Sequence, residues 1–118
     1  MRYTTLGRSG LRVSRLCLGT MTFGEDWGWG ASQDDSRAQF DAFAAAGGNF
    51  IDTSSNYTNG TAERYVGDFV AADRDYWVIA TKYTLRRPGS NPDDLNAGGN
   101  ARKNMLRTVE QSLGPLGT

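Results

Sequence analysis

Two short apolar runs, each ending abruptly in a charge, constrain this chain more than any other feature. Asn49-Phe50-Ile51 runs into Asp52 and continues as Thr53-Ser54-Ser55-Asn56-Tyr57, and Val78-Ile79-Ala80-Thr81 ends in Lys82. Apolar runs of this length, bounded by turn residues, read as buried strands of a parallel sheet. A carboxylate or an ammonium is costly to bury alone, so the two tips are expected to pair or to do chemistry. Thirty residues separate Asp52 from Lys82, about one strand–helix–strand unit. A right-handed crossover brings both tips to the same edge of one sheet, with neighbouring strands ~5 Å apart. Tyr57 follows on the loop that leaves that edge, so Asp52, Tyr57 and Lys82 are gathered on one rim.

The remaining residues supply a cadence around those strands. Tyr3–Leu6 and Leu11–Val13 flank Gly7-Arg8-Ser9-Gly10 as a hairpin over residues 3–13. Leu16-Cys17-Leu18-Gly19-Thr20 reads as a first apolar strand, and Met21 to Gly30 as a glycine-rich loop carrying Trp27 and Trp29. Asp34, Asp35 and Ser36 suit a helix start, Phe40, Phe43 and Ala44 form its apolar face, and Gly47-Gly48 stop it. After Tyr57 comes the turn Thr58-Asn59-Gly60, with Thr61 as cap of a second helix whose inner face is Val66, Phe69 and Val70. Pro88, Gly89, Pro92, Gly98 and Gly99 make residues 85–99 a long loop. A third helix over about 101–113 carries Leu106, Val109 and Leu113 on one side and is ended by Gly114-Pro115. The order is a hairpin and then βα units over about 16–46, 49–70 and 77–113. Strands alternating with amphipathic helices imply an α/β fold built on a parallel sheet. Three such strands leave two open edges, so residues 1–118 are expected to be one part of a larger barrel or sheet.

Composition narrows the partners. Thirteen basic residues balance thirteen acidic ones, for a net charge of +0, which argues against a nucleic-acid or anionic-membrane partner. The single Cys17 permits no internal disulfide and suits a reducing compartment; inside an apolar run it reads as a small buried hydrophobe. No apolar segment near the start is long enough for a signal peptide or a membrane span, so a cytoplasmic protein is expected. The chain contains no histidine, so any mechanism needing an imidazole must find it elsewhere.

The sequence Phe50-Ile51-Asp52-Thr53-x-x-x-Tyr57, then Gly60 and Glu63, then Thr81-Lys82, resembles the aldo-keto reductases, and so does the hairpin leading to Leu18-Gly19-Thr20-Met21-Thr22-Phe23-Gly24. The resemblance runs in order along essentially the whole chain. It implies the N-terminal part of a (β/α)8 TIM barrel whose hairpin closes the bottom, with the site at the C-terminal ends of the strands. It also implies NADPH-dependent reduction of an aldehyde or ketone, a small-molecule carbonyl substrate, with no metal. In that pattern Tyr57 protonates the carbonyl oxygen. A free phenol, with pKa ~10, is a sluggish acid near neutrality, and Lys82 beside it favours the phenolate. Asp52 pairs with Lys82 and, with Gly19, Thr20 and Met21, lies by the nicotinamide ribose. Trp27 or Trp29 walls the substrate pocket.

Taken singly, Asp52 could cap a turn, Lys82 could be a solvated strand end and Tyr57 a surface aromatic; their coincidence at matching tips favours chemistry. Glu63 and Gly60 read as helix start and turn, and Arg86-Arg87 as a solvated pair, with a phosphate contact as the alternative. The family's partner histidine and its adenosine-phosphate site fall later than residue 118, and Thr58 stands where a glycine often follows the tyrosine. The chain alone is therefore expected to be inactive. A cofactor-binding interaction protein of the same fold, or a truncated product without function, remains the alternative.

Overall fold

Leu18, Ile51 and Ile79 lie side by side, and that row organises the molecule. In a computed structural model describing residues 1–118, β3 (Leu18–Gly19), β4 (Phe50–Asp52) and β5 (Val78–Ala80) form a parallel sheet in that order. Leu18 pairs with Ile51 and Ile51 with Ile79; Gly19 pairs with Asp52 and Asp52 with Ala80. Alternation across the pleat sends these two rows to opposite faces. The isoleucine row faces the helices, with Ile51 fully buried in the core. The Gly19–Asp52–Ala80 row belongs to the other face, where Gly19 is exposed and Asp52 and Ala80 are half-buried. Cys17, expected inside, is exposed: Leu18 takes the core side, so its neighbour must face the other way.

The hairpin pairs β1 (Tyr3–Thr5) with β2 (Arg12–Ser14) antiparallel, Thr4 opposite Val13. Asn49 ties it to the sheet. Its Oδ1 accepts the Ser14 N–H (2.7 Å) and its Nδ2 donates to the Arg12 carbonyl (3.1 Å). Asn49 immediately precedes β4, so the hairpin is fastened at the starting end of the strands, away from Asp52.

The first helix, α1 (Gln33–Ala45), begins at Ser32, whose Oγ accepts the Asp35 N–H (3.2 Å), with Asp34 and Asp35 complementing the helix dipole. Its Phe40 packs on Phe69 of α2 (Thr61–Val70) and on Trp77, with ring centroids 5.4 and 4.8 Å apart. The start of α2 corrects one expectation. Gly60, at φ 92°, holds the cap position and Thr61 is already helical. The capping bond comes from Thr58, whose Oγ1 accepts the Ala62 N–H (3.1 Å) and donates to the Phe23 carbonyl (2.5 Å). Thr58 adopts φ 43°, a conformation that disfavours branched side chains. Its two buried hydrogen bonds offset that strain and explain a threonine where backbone freedom alone would favour glycine.

Helix α3 (Arg102–Leu116) departs furthest from expectation. Leu106, Val109 and Leu113 are exposed at 47, 45 and 42 %, and the face turned inward is Asn104, Thr108, Ser112 and Leu116. The cause is anchorage by polar bonds. Asn104 Nδ2 donates to the carbonyls of Tyr83 (2.8 Å) and Gly99 (3.0 Å), fastening the helix to both ends of the long loop. The helix also continues through Gly114-Pro115 to Leu116, with Pro115 inside its last turn. Gly117, at φ 65°, closes it, with the Thr118 N–H on the Leu113 carbonyl (3.0 Å).

Gly67 of α2 is where the second and third helices touch, since a Cβ there would meet the Pro115 carbonyl oxygen at 2.0 Å. Gly67→Ala is therefore expected to destabilise the chain by about 1–3 kcal/mol through overpacking. Gly114→Ala, with open space around its Cβ, is expected to be neutral or to stabilise by up to about 1 kcal/mol. Urea melts of the two variants beside the parent check the contrast, and equal midpoints would contradict the close approach.

Candidate active site

The β4–β5 ladder ends with Asp52 opposite Ala80, followed by one last bond from the Thr53 N–H to the Ala80 carbonyl (2.8 Å). Past that point side chains hold the strand tips together. Ser55, buried, donates its Oγ to the Lys82 carbonyl (3.0 Å). Lys82 returns along the tip of β4, its Nζ donating to Asp52 Oδ2 (2.7 Å) and to the Thr53 carbonyl (2.9 Å). The same ammonium stands 4.6 Å from the centroid of the Tyr57 ring, a cation–π distance. The trio read from the sequence is thus assembled in space, with the cation between carboxylate and phenol.

Burial works against the Lys82 charge, but the hydrogen bonds and charges of Asp52 and Tyr57 outweigh it and hold the ammonium above the ordinary lysine value of 10.5. Both partners of the Lys82–Asp52 pair remain substantially exposed, so its net contribution to folding is no more than about 1 kcal/mol. Its value is positional. Beside it opens a cavity of about 400 Å3 lined by Ser54, Asn56, Tyr57 and the run from Thr81 to Leu85.

The other expected residues divide. Gly19 and Met21 are exposed at the end of β3. Thr20 is not presented outward: its side chain is fully buried, and both its N–H and its Oγ1 donate to the Asp52 carbonyl at 3.0 Å. It fixes the Asp52 backbone. Trp27 and Trp29 pack against one another with tilted rings, centroids 5.5 Å apart, and Trp27 Nε1 donates to Asn59 Oδ1 (3.3 Å). Neither lines the cavity. Their loop is closed on itself by the Gly24–Ala31 and Ala31–Thr22 bonds.

Of the Arg86-Arg87 pair, Arg86 is exposed, as expected, and Arg87 is half-buried. Arg86 donates to the carbonyls of Asn91 (2.7 Å) and Asp94 (3.1 Å), and Arg87 Nη1 faces Glu63 Oε2 at 3.8 Å. Glu63 is fully buried, its Oε1 accepting from the Thr81 hydroxyl (2.7 Å). Sequence reasoning treated Glu63 as a helix start and did not single out Ser55 at all. A signal for Glu63 was present: it lies three and seven residues before Val66 and Val70, on their buried face.

The match to known proteins covers this whole arrangement. The profile of the Aldo/keto reductase family matches residues 15–118, and the chain belongs to that family. It is 40 % identical over 117 residues to norsolorinic acid reductase of Aspergillus flavus, covering 93 % of this chain and 30 % of the relative. It is 41 % identical over 120 residues to the NADP(+) aryl-alcohol dehydrogenase of Phanerodontia chrysosporium, covering 92 % of this chain and 31 % of that protein. Among solved structures, the holo form of an aldo-keto reductase from Bacillus halodurans superposes with a TM-score of 0.82 at 27 % identity, over 100 % of this chain and 37 % of the other. The chain thus spans about a third of the length of the curated relatives it matches. Its hairpin and three βα units are the corresponding part of a (β/α)8 barrel.

The raised Lys82 value has a pH consequence. A folded-state value above the unfolded one means the ammonium stabilises the fold fully below the ordinary lysine value of 10.5, a contribution lost as pH rises through the raised value. Urea melts from neutral pH upward should show the parent losing more stability across that alkaline range than Lys82→Met. Parallel curves would mean the pair is not formed.

Proposed function

We propose that this chain is the portion of an NADPH-dependent carbonyl reductase that carries the proton-donating tyrosine. The observation that supports this most is the Lys82 ammonium seated between Asp52 and the Tyr57 ring, at the strand ends where barrel enzymes place their chemistry. In carbonyl reduction the Tyr57 hydroxyl gives its proton to the substrate oxygen as the carbonyl carbon gains a hydride. The Lys82 charge steadies the phenolate left behind, and Asp52 keeps Lys82 in place. A bound nicotinamide cofactor supplies the hydride. The residues present fit its ribose end: Asp52 commits Oδ2 to Lys82, its other oxygen makes no bond within the chain, and exposed Gly19 and Met21 lie on the same rim. Thr20, turned inward, would serve there only as a brace for Asp52.

Residues 1–118 act, in this reading, as one partial barrel, a hairpin over 3–13 with βα units 16–46, 49–70 and 77–113, working within a longer polypeptide that supplies the partner histidine and the adenosine-phosphate site. The name of one relative, an aryl-alcohol dehydrogenase, favours an aromatic carbonyl substrate, which the Tyr57 and Tyr83 walls of the cavity suit. No helix is long and apolar enough to cross a membrane. Separately, the single Cys17 suits a reducing compartment, and on that ground we read the setting as the cytoplasm.

In the full-length gene product, Tyr57→Phe should lower kcat for NADPH-dependent reduction of aromatic aldehydes by at least about a hundredfold while leaving NADPH affinity unchanged. Undiminished turnover would sink the assignment. Tight NADPH binding by the parent, without turnover on a broad carbonyl panel, would point instead to a cofactor-sensing interaction protein of the same fold.

A further inference from the structure

Glu63 is the only charged residue fully withdrawn from solvent, with an exposure of 0 %, and the proton-transfer scheme above does not use it. It sits in the first turn of α2 and reaches across to the strand tip, where the Thr81 hydroxyl donates to its Oε1 at 2.7 Å. Its other oxygen faces Arg87, at the start of the long loop, across 3.8 Å. A carboxylate is kept dry in this way only where its placement is strongly determined.

The consequence follows from strand geometry. Residues 81 and 82 lie beyond the last ladder pair, so no strand neighbour sets which way their side chains point. Successive side chains of an extended segment face opposite sides. With Thr81 bonded to Glu63 on the helix side, Lys82 must emerge on the open side, where it meets Asp52 and the Tyr57 ring. Ser55 holds the Lys82 carbonyl but leaves its side-chain direction free. Arg87, five residues beyond Lys82, meets the same carboxylate, so the segment carrying Tyr83 and Leu85 of the cavity wall is held at both ends.

We propose that Glu63 is a positioning residue for Lys82, acting through the Thr81 hydroxyl to hold the ammonium against Asp52 and the Tyr57 ring. The catalytic consequence rests on the carbonyl-reductase reading; the positional one does not.

The chain contains only two lysines, Lys82 and Lys103, so a lysine-selective NMR spectrum separates them cleanly. Lys82, lying over the Tyr57 ring, should show its ε-methylene protons upfield of those of Lys103, and Tyr57→Leu should abolish that shift. Glu63→Ala should also abolish it, whereas Glu63→Gln, whose carbonyl still accepts from Thr81, should keep more than half. Because Glu63→Ala also empties a buried position, the other end of the bond gives a second pair: Thr81→Val should lose the shift and Thr81→Ser should retain it. An unchanged Lys82 signal in folded Thr81→Val overturns the proposal and makes Glu63 a packing feature only. In the full-length gene product, Thr81→Val should lower kcat by about ten- to a hundredfold with KM for NADPH unchanged. Unchanged kcat alongside a lost shift would overturn the catalytic consequence. A parent with the upfield shift but no reductase turnover would overturn the functional reading while leaving the positional one standing.

Discussion

The pairing of Asp52 with Ala80 in a parallel ladder is the constraint on which the rest depends. It puts Ile51 and Ile79 on the side of the helices and Asp52 on the open side, and a slip of one residue would exchange the two faces. The core then selects the register. Ile51 is buried among Phe23, Phe40 and Val66, and moving it outward would cost about 2–3 kcal/mol for that side chain alone. The polar site is a by-product of apolar burial, because the side chain next to a buried isoleucine must face away from it.

Strand ends are where regular hydrogen bonding stops, and here buried short polar side chains take over. Thr20 bonds the Asp52 carbonyl, Ser55 the Lys82 carbonyl, Thr58 the Phe23 carbonyl and the Ala62 N–H, and Glu63 the Thr81 hydroxyl. Each such bond is worth about 1 kcal/mol net, and each buried group left unmade costs about 1–3 kcal/mol. The asymmetry makes the shell specific: the loop conformation that satisfies all of them is strongly preferred over its neighbours. The exposed Lys82–Asp52 pair draws its geometry from this shell rather than from its own strength.

Helix α3 shows how polar anchorage overrides apolar periodicity. Its Leu106, Val109 and Leu113 stripe has helical spacing, and on that ground alone it belongs inside. The orientation is set instead by Asn104, which closes the long loop by bonding its two ends, and by Leu116 at the final turn, which reaches the core. A stripe reports that a face prefers burial; it carries no information about which surface is available to cover it. The two tryptophans are a similar case. The family resemblance implied a pocket wall there; within this chain the two pack on one another, their loop closed by its own backbone bonds and tied to Asn59.

From the sequence alone, the strand runs, the amphipathic helices α1 and α2, the hairpin and the Asp52–Tyr57–Lys82 trio could be read, because each rests on local periodicity or on the cost of burying a lone charge. Family membership was equally legible, since it rests on the order and spacing of residues. Tertiary structure decided the rest: which face of α3 turns inward, that Thr58 rather than Thr61 caps α2, that Thr20 braces Asp52, and that Glu63 grips Thr81. Apart from the Thr58–Ala62 capping bond itself, which is local, these depend on partners 18 to 35 residues distant, brought together only when the core closes. Local pattern specifies which groups need a partner; the packing of the sheet against its helices chooses it.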